Sequence, residues 1–117
     1  MRNFKEYNVW QDAMSLVDEI YEIVAEFPDA EKYGLRSQIT RAVISIPSNI
    51  AEGSSRESEK DFARFIQIAL GSSYELETQI IISTRRAYLS KERSGQIIIK
   101  IQSIQKRLLG LKKTLKR

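Results

Sequence analysis

The strongest constraint on the fold is the spacing of apolar residues in the last quarter of the chain. Six of them follow one another in steps of four and three: Ile97, Ile101, Ile104, Leu108, Leu111 and Leu115. This alternation keeps side chains on one stripe of an α-helix, which has about 3.6 residues per turn. The pattern predicts a helix over residues 90–116. A helix with a single apolar stripe requires other helices to cover it.

Three earlier segments carry stripes of the same kind, over residues 8–27, 35–52 and 58–84. Pro47 lies inside the second and should bend it or separate its last turn, because proline removes one backbone donor. Short polar connectors join the segments. We therefore expect an all-α protein, an antiparallel up-down four-helix bundle, formed by a single domain over residues 1–117.

Polar residues mark where three of these helices begin. Asn8 and Ser90 each precede an apolar stripe and are predicted N-caps, and before the third stripe both Ser54 and Ser58 are candidate capping residues. Gln11, three residues after Asn8, would complete a capping box, as Asp61 would for Ser58.

The chain contains no His and no Cys. Their absence excludes disulfides, thiolate zinc sites and Cys or His nucleophiles, and removes the commonest general base near neutral pH. No clustered Asp/Glu motif replaces them. We expect a protein that is not an enzyme, with no catalytic residue, no metal and no cofactor. The polar start of the chain and the lack of a long apolar run predict a cytoplasmic protein with no membrane partner.

Charge divides along the sequence. Residues 1–90 hold ten Lys and Arg against fourteen Asp and Glu, whereas residues 91–117 hold nine against one. Residues 8–31 contain seven acids and no base. The predicted first helix is therefore acidic and the fourth basic.

The basic residues of the fourth helix are candidate nucleic-acid-binding residues, since several of them lie opposite its apolar stripe. They are Lys106, Arg107, Lys112, Lys113, Lys116 and Arg117. The helix has no aromatic residue, which favours contact with the phosphate backbone over base stacking. The alternative is a solvated face, or pairing with the acidic first helix.

A second apolar stripe runs along the first helix, through Trp10, Met14, Val17 and Tyr21. It makes the apolar face wider than one helix contact needs. The stripe favours a subunit interface, the alternative being a groove for a ligand or another protein.

A polar set occupies one face of the second helix and part of the third: Arg41, Ser45, Asn49, Glu52, Glu75 and Gln79. A buried or interfacial hydrogen-bonded network is the favoured interpretation, with Arg41 bonded to a carboxylate of the third helix. An anion pocket or a carboxylate metal site is the less favoured alternative.

Two strings in the centre of the chain carry a family resemblance. Residues 45–53 read Ser-Ile-Pro-Ser-Asn-Ile-Ala-Glu-Gly, residues 69–79 read Ala-Leu-Gly-Ser-Ser-Tyr-Glu-Leu-Glu-Thr-Gln, and Tyr7 precedes Trp10 by three. The chain resembles the four-helix-bundle proteins first noticed as products of ribosomal RNA intervening sequences, relatives of the accessory variability determinant of diversity-generating retroelements. The resemblance implies a homopentameric ring and, for a retroelement member, binding of nucleic acid and a reverse transcriptase.

The sequence thus predicts a homo-oligomeric binding protein, a pentamer on the resemblance, that presents a basic surface to RNA or DNA. The alternative is a protein-interaction scaffold without nucleic-acid binding, in which the charge division serves pairing between helices or subunits. Salt-dependent retention of nucleic acid separates the two.

Overall fold

The computed structural model describes residues 2–115 and contains four α-helices with no strand in that range. The helices are α1 (Asn8–Val24), α2 (Leu35–Ser54), α3 (Glu59–Arg85) and α4 (Lys91–Thr114), and short 3-10 turns lie at Phe4–Glu6 and Asp29–Glu31. The prediction of an all-α fold with four helices is confirmed.

Helices that follow one another in sequence pack side by side, and α4 closes the bundle against α1. Asp12 of α1 pairs with Arg107 of α4, and Glu19 pairs with Lys100, so residue numbers rise along one helix as they fall along the other. The molecule measures 43 × 24 × 21 Å. The long dimension is close to that of one 27-residue helix at 1.5 Å per residue. The described chain is an antiparallel up-down bundle, one helix long and two helices wide.

The core consists of the predicted apolar stripes. Its largest fully buried side chains come from all four helices: Leu16, Ile20, Ile39, Ile46, Ile50, Phe62, Ile66, Leu76, Ile80, Ile97, Ile101 and Ile104. Burial of each contributes about 1.5–3 kcal/mol relative to exposure. The periodicity therefore identified the buried face of each helix correctly.

The predicted N-caps Ser58 and Ser90 are confirmed, whereas Ser54, the other candidate for the third helix, is the last residue of α2. Ser58 Oγ accepts a hydrogen bond from the Asp61 backbone N–H, and Ser90 Oγ accepts one from that of Arg93. Each satisfies one of the backbone donors that a helix start leaves unpaired.

The predicted first residue of α1 is correct, but its predicted cap and its predicted end are wrong. Asn8 is the first helical residue, preceded by Tyr7, and no side chain caps this start. Gln11 Nε2 instead donates to the Lys5 carbonyl at 2.9 Å. At the other end α1 stops at Val24, and the backbone tightens into i to i+3 bonds up to Phe27. Phe27 continues the apolar stripe and is buried without being helical.

Helix α2 runs through Pro47 as one continuous element, so of the two effects predicted for this proline the separate last turn does not occur. The Pro47 ring is buried. Six residues later, Gly53 marks a close approach to α3: a Cβ there would lie 2.7 Å from the Phe65 Cβ and 2.9 Å from Phe62 Cδ1. Only glycine allows these two helices to meet this closely at the α2–α3 turn.

Candidate interaction surfaces

One face of α4 is turned towards the acidic α1. Arg107 Nη1 lies 2.6 Å from Asp12 Oδ2, Lys100 Nζ lies 2.5 Å from Glu19 Oε1, and Arg93 approaches the same Glu19 oxygen at 3.8 Å. The three cations are seven residues apart, two helical turns, which places them on one side of α4. Part of the charge division is therefore pairing between helices within one chain.

The six residues predicted to bind nucleic acid do not share one environment. Arg107 forms an ion pair with Asp12, and Lys112 Nζ donates a hydrogen bond to Gln67 Oε1 at 2.7 Å. Lys106 and Lys113 are exposed, and neither forms an ion pair or hydrogen bond with any described residue. Lys116 and Arg117 lie outside the described residues. Lys106 and Lys113 are therefore the free cations of this set within residues 2–115.

A concave surface lies between the first turns of α3 and the end of α4. We refer to it as the basic groove, and its lining comprises Ser55, Arg56, Glu57, Ser58, Lys60, Asp61, Ala63, Arg64, Gln67, Ile68 and Lys112. Four cations and two acids line it. Lys112 is one of the predicted binding residues, whereas Lys60 and Arg64 were not predicted; these two are four residues apart and so lie one turn apart on α3. The bundle topology brings them to the end of α4.

Two arginines of the basic groove stack on one aromatic ring. The guanidinium carbon of Arg56 lies 4.6 Å from the centre of the Phe65 ring, and that of Arg64 lies 4.5 Å from it. Asp61 lies between them, 3.0 Å from Arg64 Nε and 3.7 Å from Arg56 Nε. Arg56 also pairs with Glu52 at 3.2 Å. Arg56 Nε itself is buried, and no described residue offers it an acceptor within hydrogen-bond distance.

A second concave surface, the apolar groove, separates α1 from α2. Its lining comprises Phe4, Trp10, Met14, Val17, Ile44, Pro47, Ser48 and Ala51. Trp10 packs edge-to-face on Phe4, with ring centres 5.1 Å apart. Met14 is 41 % exposed and Ile44 is 40 % exposed. Three of the four residues predicted at an oligomer interface therefore meet in one groove, while Tyr21 is exposed one turn beyond Val17 and outside this lining.

The predicted polar network forms only in part. Ser45 Oγ and Ser72 Oγ are 2.7 Å apart and join α2 to α3, and Asn49 Nδ2 donates to both the carbonyl and the hydroxyl of Ser45. These contacts lie beside a polar groove lined by Arg41 and Glu75. Serine and asparagine side chains thus supply the hydrogen bonds between and along the two helices here.

The other members of that set lie apart. Arg41 and Glu75 are exposed, and within residues 2–115 the Arg41 side chain bonds to no carboxylate, contrary to the prediction. Glu52 pairs with Arg56, which follows the end of α2, and Gln79 is buried with its Oε1 unpaired among the described residues. Gln79 is buried, whereas Glu75, one turn earlier and about 40° further round α3, is exposed.

Glu31 joins the two turns at the other end of the bundle. Its Oε1 accepts a hydrogen bond from the backbone N–H of Leu35, and its Oε2 accepts one from the Tyr88 hydroxyl. These two hydrogen bonds, with the nearby Arg86 charge, lower the pKa of Glu31 below its ordinary value. The carboxylate therefore caps α2 and fastens the α3–α4 turn.

Seven of the fifteen acidic side chains lie in α1 and the turn that follows it. Across the described part of the chain, no group of three or more of them is placed to hold a metal ion. No helix between residues 2 and 115 is long and apolar enough to span a membrane.

A family model described as "23S rRNA-intervening sequence protein" matches residues 5–110 of the chain. No curated protein matches the chain. Among solved structures, the chain is similar to a protein of unknown function from the S23 ribosomal protein family of Bacteroides thetaiotaomicron. The two share 25% sequence identity and superpose with a TM-score of 0.81, over 90% of this chain and 98% of that one.

Proposed function

The chain belongs to the family of 23S rRNA-intervening sequence proteins, and from this premise we propose that it is a non-enzymatic, homo-oligomeric binding protein that presents a basic surface to RNA or DNA. The observation that carries the proposal is the convergence of cations from two helices at one end of the bundle. Lys60 and Arg64 of α3 and Lys112 of α4 line the basic groove. Lys106 and Lys113 lie exposed on α4.

This arrangement suits the phosphate backbone. Lysines and arginines that neutralise phosphates release condensed counterions, which gives affinity without base specificity and makes it steeply dependent on salt. The described part of α4 has no aromatic side chain on which an unpaired base could stack. We therefore expect duplex or structured RNA to bind better than a single strand.

Filter binding of duplex RNA at about 50 and 200 mM salt tests the proposal. The double variant Lys106→Gln/Lys113→Gln should lower the slope of log affinity against log salt by about 2, because each lysine would neutralise about one phosphate. Lys32→Gln/Lys91→Gln removes the same charge at the opposite end of the bundle and should leave the slope unchanged. Absence of salt-sensitive retention by the wild-type protein would overturn the proposal.

The second candidate is a protein-interaction scaffold, and two observations favour it. The ion pairs between α1 and α4 give the charge division a role inside the chain. The apolar groove offers exposed Met14 and Ile44 to another polypeptide. We propose that this groove is covered by further copies of the chain, in a pentamer as the resemblance implies. A reverse transcriptase is the proposed protein partner if the gene lies in a retroelement.

A further inference from the structure

We propose that Arg56 and Arg64 form a phosphate-binding subsite in the basic groove, and that Asp61 occupies it until a phosphate displaces the carboxylate. This inference rests on the proposed function, since it names the part of the groove that contacts a phosphate and the residue that restrains that contact. A backbone phosphodiester and free inorganic phosphate share the required chemistry.

The two guanidinium groups are held in place before any anion binds. Both stack on Phe65, at 4.6 and 4.5 Å from the ring centre, and the ring is itself buried. Contact with the ring restrains each guanidinium group, so less side-chain entropy is lost when its N–H groups bind an acceptor. Arg56 is further steadied by Glu52 at 3.2 Å.

Asp61 does not accept hydrogen bonds from both of these arginines. Its Oδ1 is within hydrogen-bond distance of Arg64 Nε, whereas its Oδ2 is 3.7 Å from Arg56 Nε, which is too far for a hydrogen bond. Arg56 Nε consequently has no acceptor between residues 2 and 115 although it is buried. An enclosed donor without an acceptor is unfavourable. The position between the two arginines therefore accommodates an anion but is poorly matched by a carboxylate with two oxygens.

A phosphate is a better match than Asp61. It offers more acceptor oxygens, arranged tetrahedrally, and guanidinium groups bind such oxygens through paired N–H donors. Lys60 and Lys112 line the same groove and add two positive charges, against one further acid, Glu57. With Asp61 displaced or neutralised, the lining becomes strongly cationic.

Asp61 competes with phosphate for the two arginines, so neutralising its carboxylate should strengthen phosphate binding. The variant Asp61→Asn keeps the size of the side chain and leaves the backbone hydrogen bond to Ser58 available. Removing one negative charge about 4 Å from a bound phosphate should raise affinity roughly fivefold in a water-like surrounding. Asp18→Asn makes the same change of charge at an exposed position of α1 that bonds to no described residue, and it should raise affinity far less.

The direct test uses the full chain and inorganic phosphate, followed through the side-chain Nε–Hε signals of arginine in ¹H–¹⁵N spectra. Saturable shifts of Arg56 and Arg64 are expected, with affinity roughly fivefold higher in Asp61→Asn. Arg64→Gln should abolish the shift of Arg56, whereas Arg85→Gln, at the opposite end of α3, should preserve it. Unmoved Arg56 and Arg64 signals, or equal affinity in the wild type and Asp61→Asn, would overturn the subsite.

Retention of duplex RNA by the same variants separates this inference from the proposed function. If the wild-type protein retains RNA but phosphate does not shift the Arg56 and Arg64 signals, the proposed subsite is contradicted and the proposed nucleic-acid binding is supported. If phosphate shifts both signals but no RNA is retained, the subsite stands as a site for free phosphate and the proposed function is wrong.

Discussion

The Tyr88 hydroxyl donates a hydrogen bond to Glu31 Oε2 at 2.9 Å and so joins the α3–α4 turn to the turn before α2. The other oxygen of Glu31 accepts the first free backbone N–H of α2, that of Leu35, at 3.1 Å. One carboxylate thus serves as a helix cap and as a link between two connections that are far apart in sequence. Both bonds favour its ionised form.

Glu31 should make stability depend on pH at the acidic end. Its pKa is lowered in the folded protein from an ordinary 4.5, mainly by the Leu35 N–H and then by the Tyr88 hydroxyl. The contribution of the Glu31 carboxylate to the free energy of unfolding is therefore complete above its pKa in the unfolded chain. This contribution is lost as the pH falls through the lower pKa of the folded protein. Glu31→Gln should reduce stability at pH 7, and the difference from the wild type should shrink towards pH 3.

Urea unfolding at both pH values measures this effect. Glu22→Gln is the control, because Glu22 is an exposed acid of α1 without a bonded partner among the described residues. A Glu31→Gln deficit that is as large at pH 3 as at pH 7 would show that the carboxylate charge is not what stabilises the two turns.

Gly53 should be the glycine least tolerant of substitution. Gly53→Ala places a methyl group 2.7 Å from the Phe65 Cβ, which cannot move without moving α3. Overpacking of this kind costs about 1–3 kcal/mol. Gly71→Ala is the matched control, because its Cβ would meet nothing within 4 Å and alanine is favoured in a helix by about 1 kcal/mol. The urea concentration at the midpoint of unfolding should therefore fall in Gly53→Ala and rise in Gly71→Ala.

Helix positions and the buried stripes could be predicted because both depend on local spacing. The caps Ser58 and Ser90 were predictable for the same reason, since a cap involves residues three apart. The end of α1 was not predictable from the stripe, because Phe27 is buried by the turn after the helix. A periodic apolar residue reports burial and does not by itself report helical backbone.

The surfaces were predictable only where a single helix forms them. Trp10, Met14 and Val17 belong to one stripe and were found, but Ile44, which completes the apolar groove, is on another helix. The predicted bond from Arg41 to a carboxylate required the rotation of α2 against α3, which spacing does not provide. Contacts between helices depend on the packing of the bundle, so they could be located only in three dimensions.

Ala87→Gly should stabilise the α3–α4 turn. Ala87 is a non-glycine residue with positive φ in the described chain, at 62°, and it follows the end of α3 with its N–H bonded to the Thr84 carbonyl. A left-handed conformation costs a residue with a Cβ about 1–2 kcal/mol, a cost that glycine avoids. We expect the free energy of unfolding, measured by thermal denaturation, to increase by about 1 kcal/mol. Ala63→Gly, inside α3, should instead destabilise by about 1 kcal/mol, so equal effects of the two substitutions would contradict this explanation.

The pairing of Asp12 with Arg107 should contribute little to stability while keeping Arg107 away from RNA. Both side chains are at least a third exposed, so a double-mutant cycle with Asp12→Asn and Arg107→Gln should give about 0.5 kcal/mol, less at 1 M salt. Arg107→Gln should weaken RNA retention less than Lys106→Gln does. A larger effect of Arg107→Gln would indicate that the ion pair opens and that Arg107 binds phosphate.

The apolar groove should control self-association without controlling the fold. Met14 and Ile44 are about 40 % exposed on facing helices, so a charge at either position costs little in the separate chain. In an assembled interface the same charge would be buried without a partner, which is strongly unfavourable. Met14→Glu or Ile44→Glu should therefore lower the native mass to that of one chain while the far-ultraviolet helical signal stays unchanged.

Ile99→Glu is the control, because Ile99 is 69 % exposed on the outer side of α4, away from the groove. If Ile99→Glu dissociates the assembly and Met14→Glu does not, the subunit contact lies on α4 and the apolar groove has another occupant.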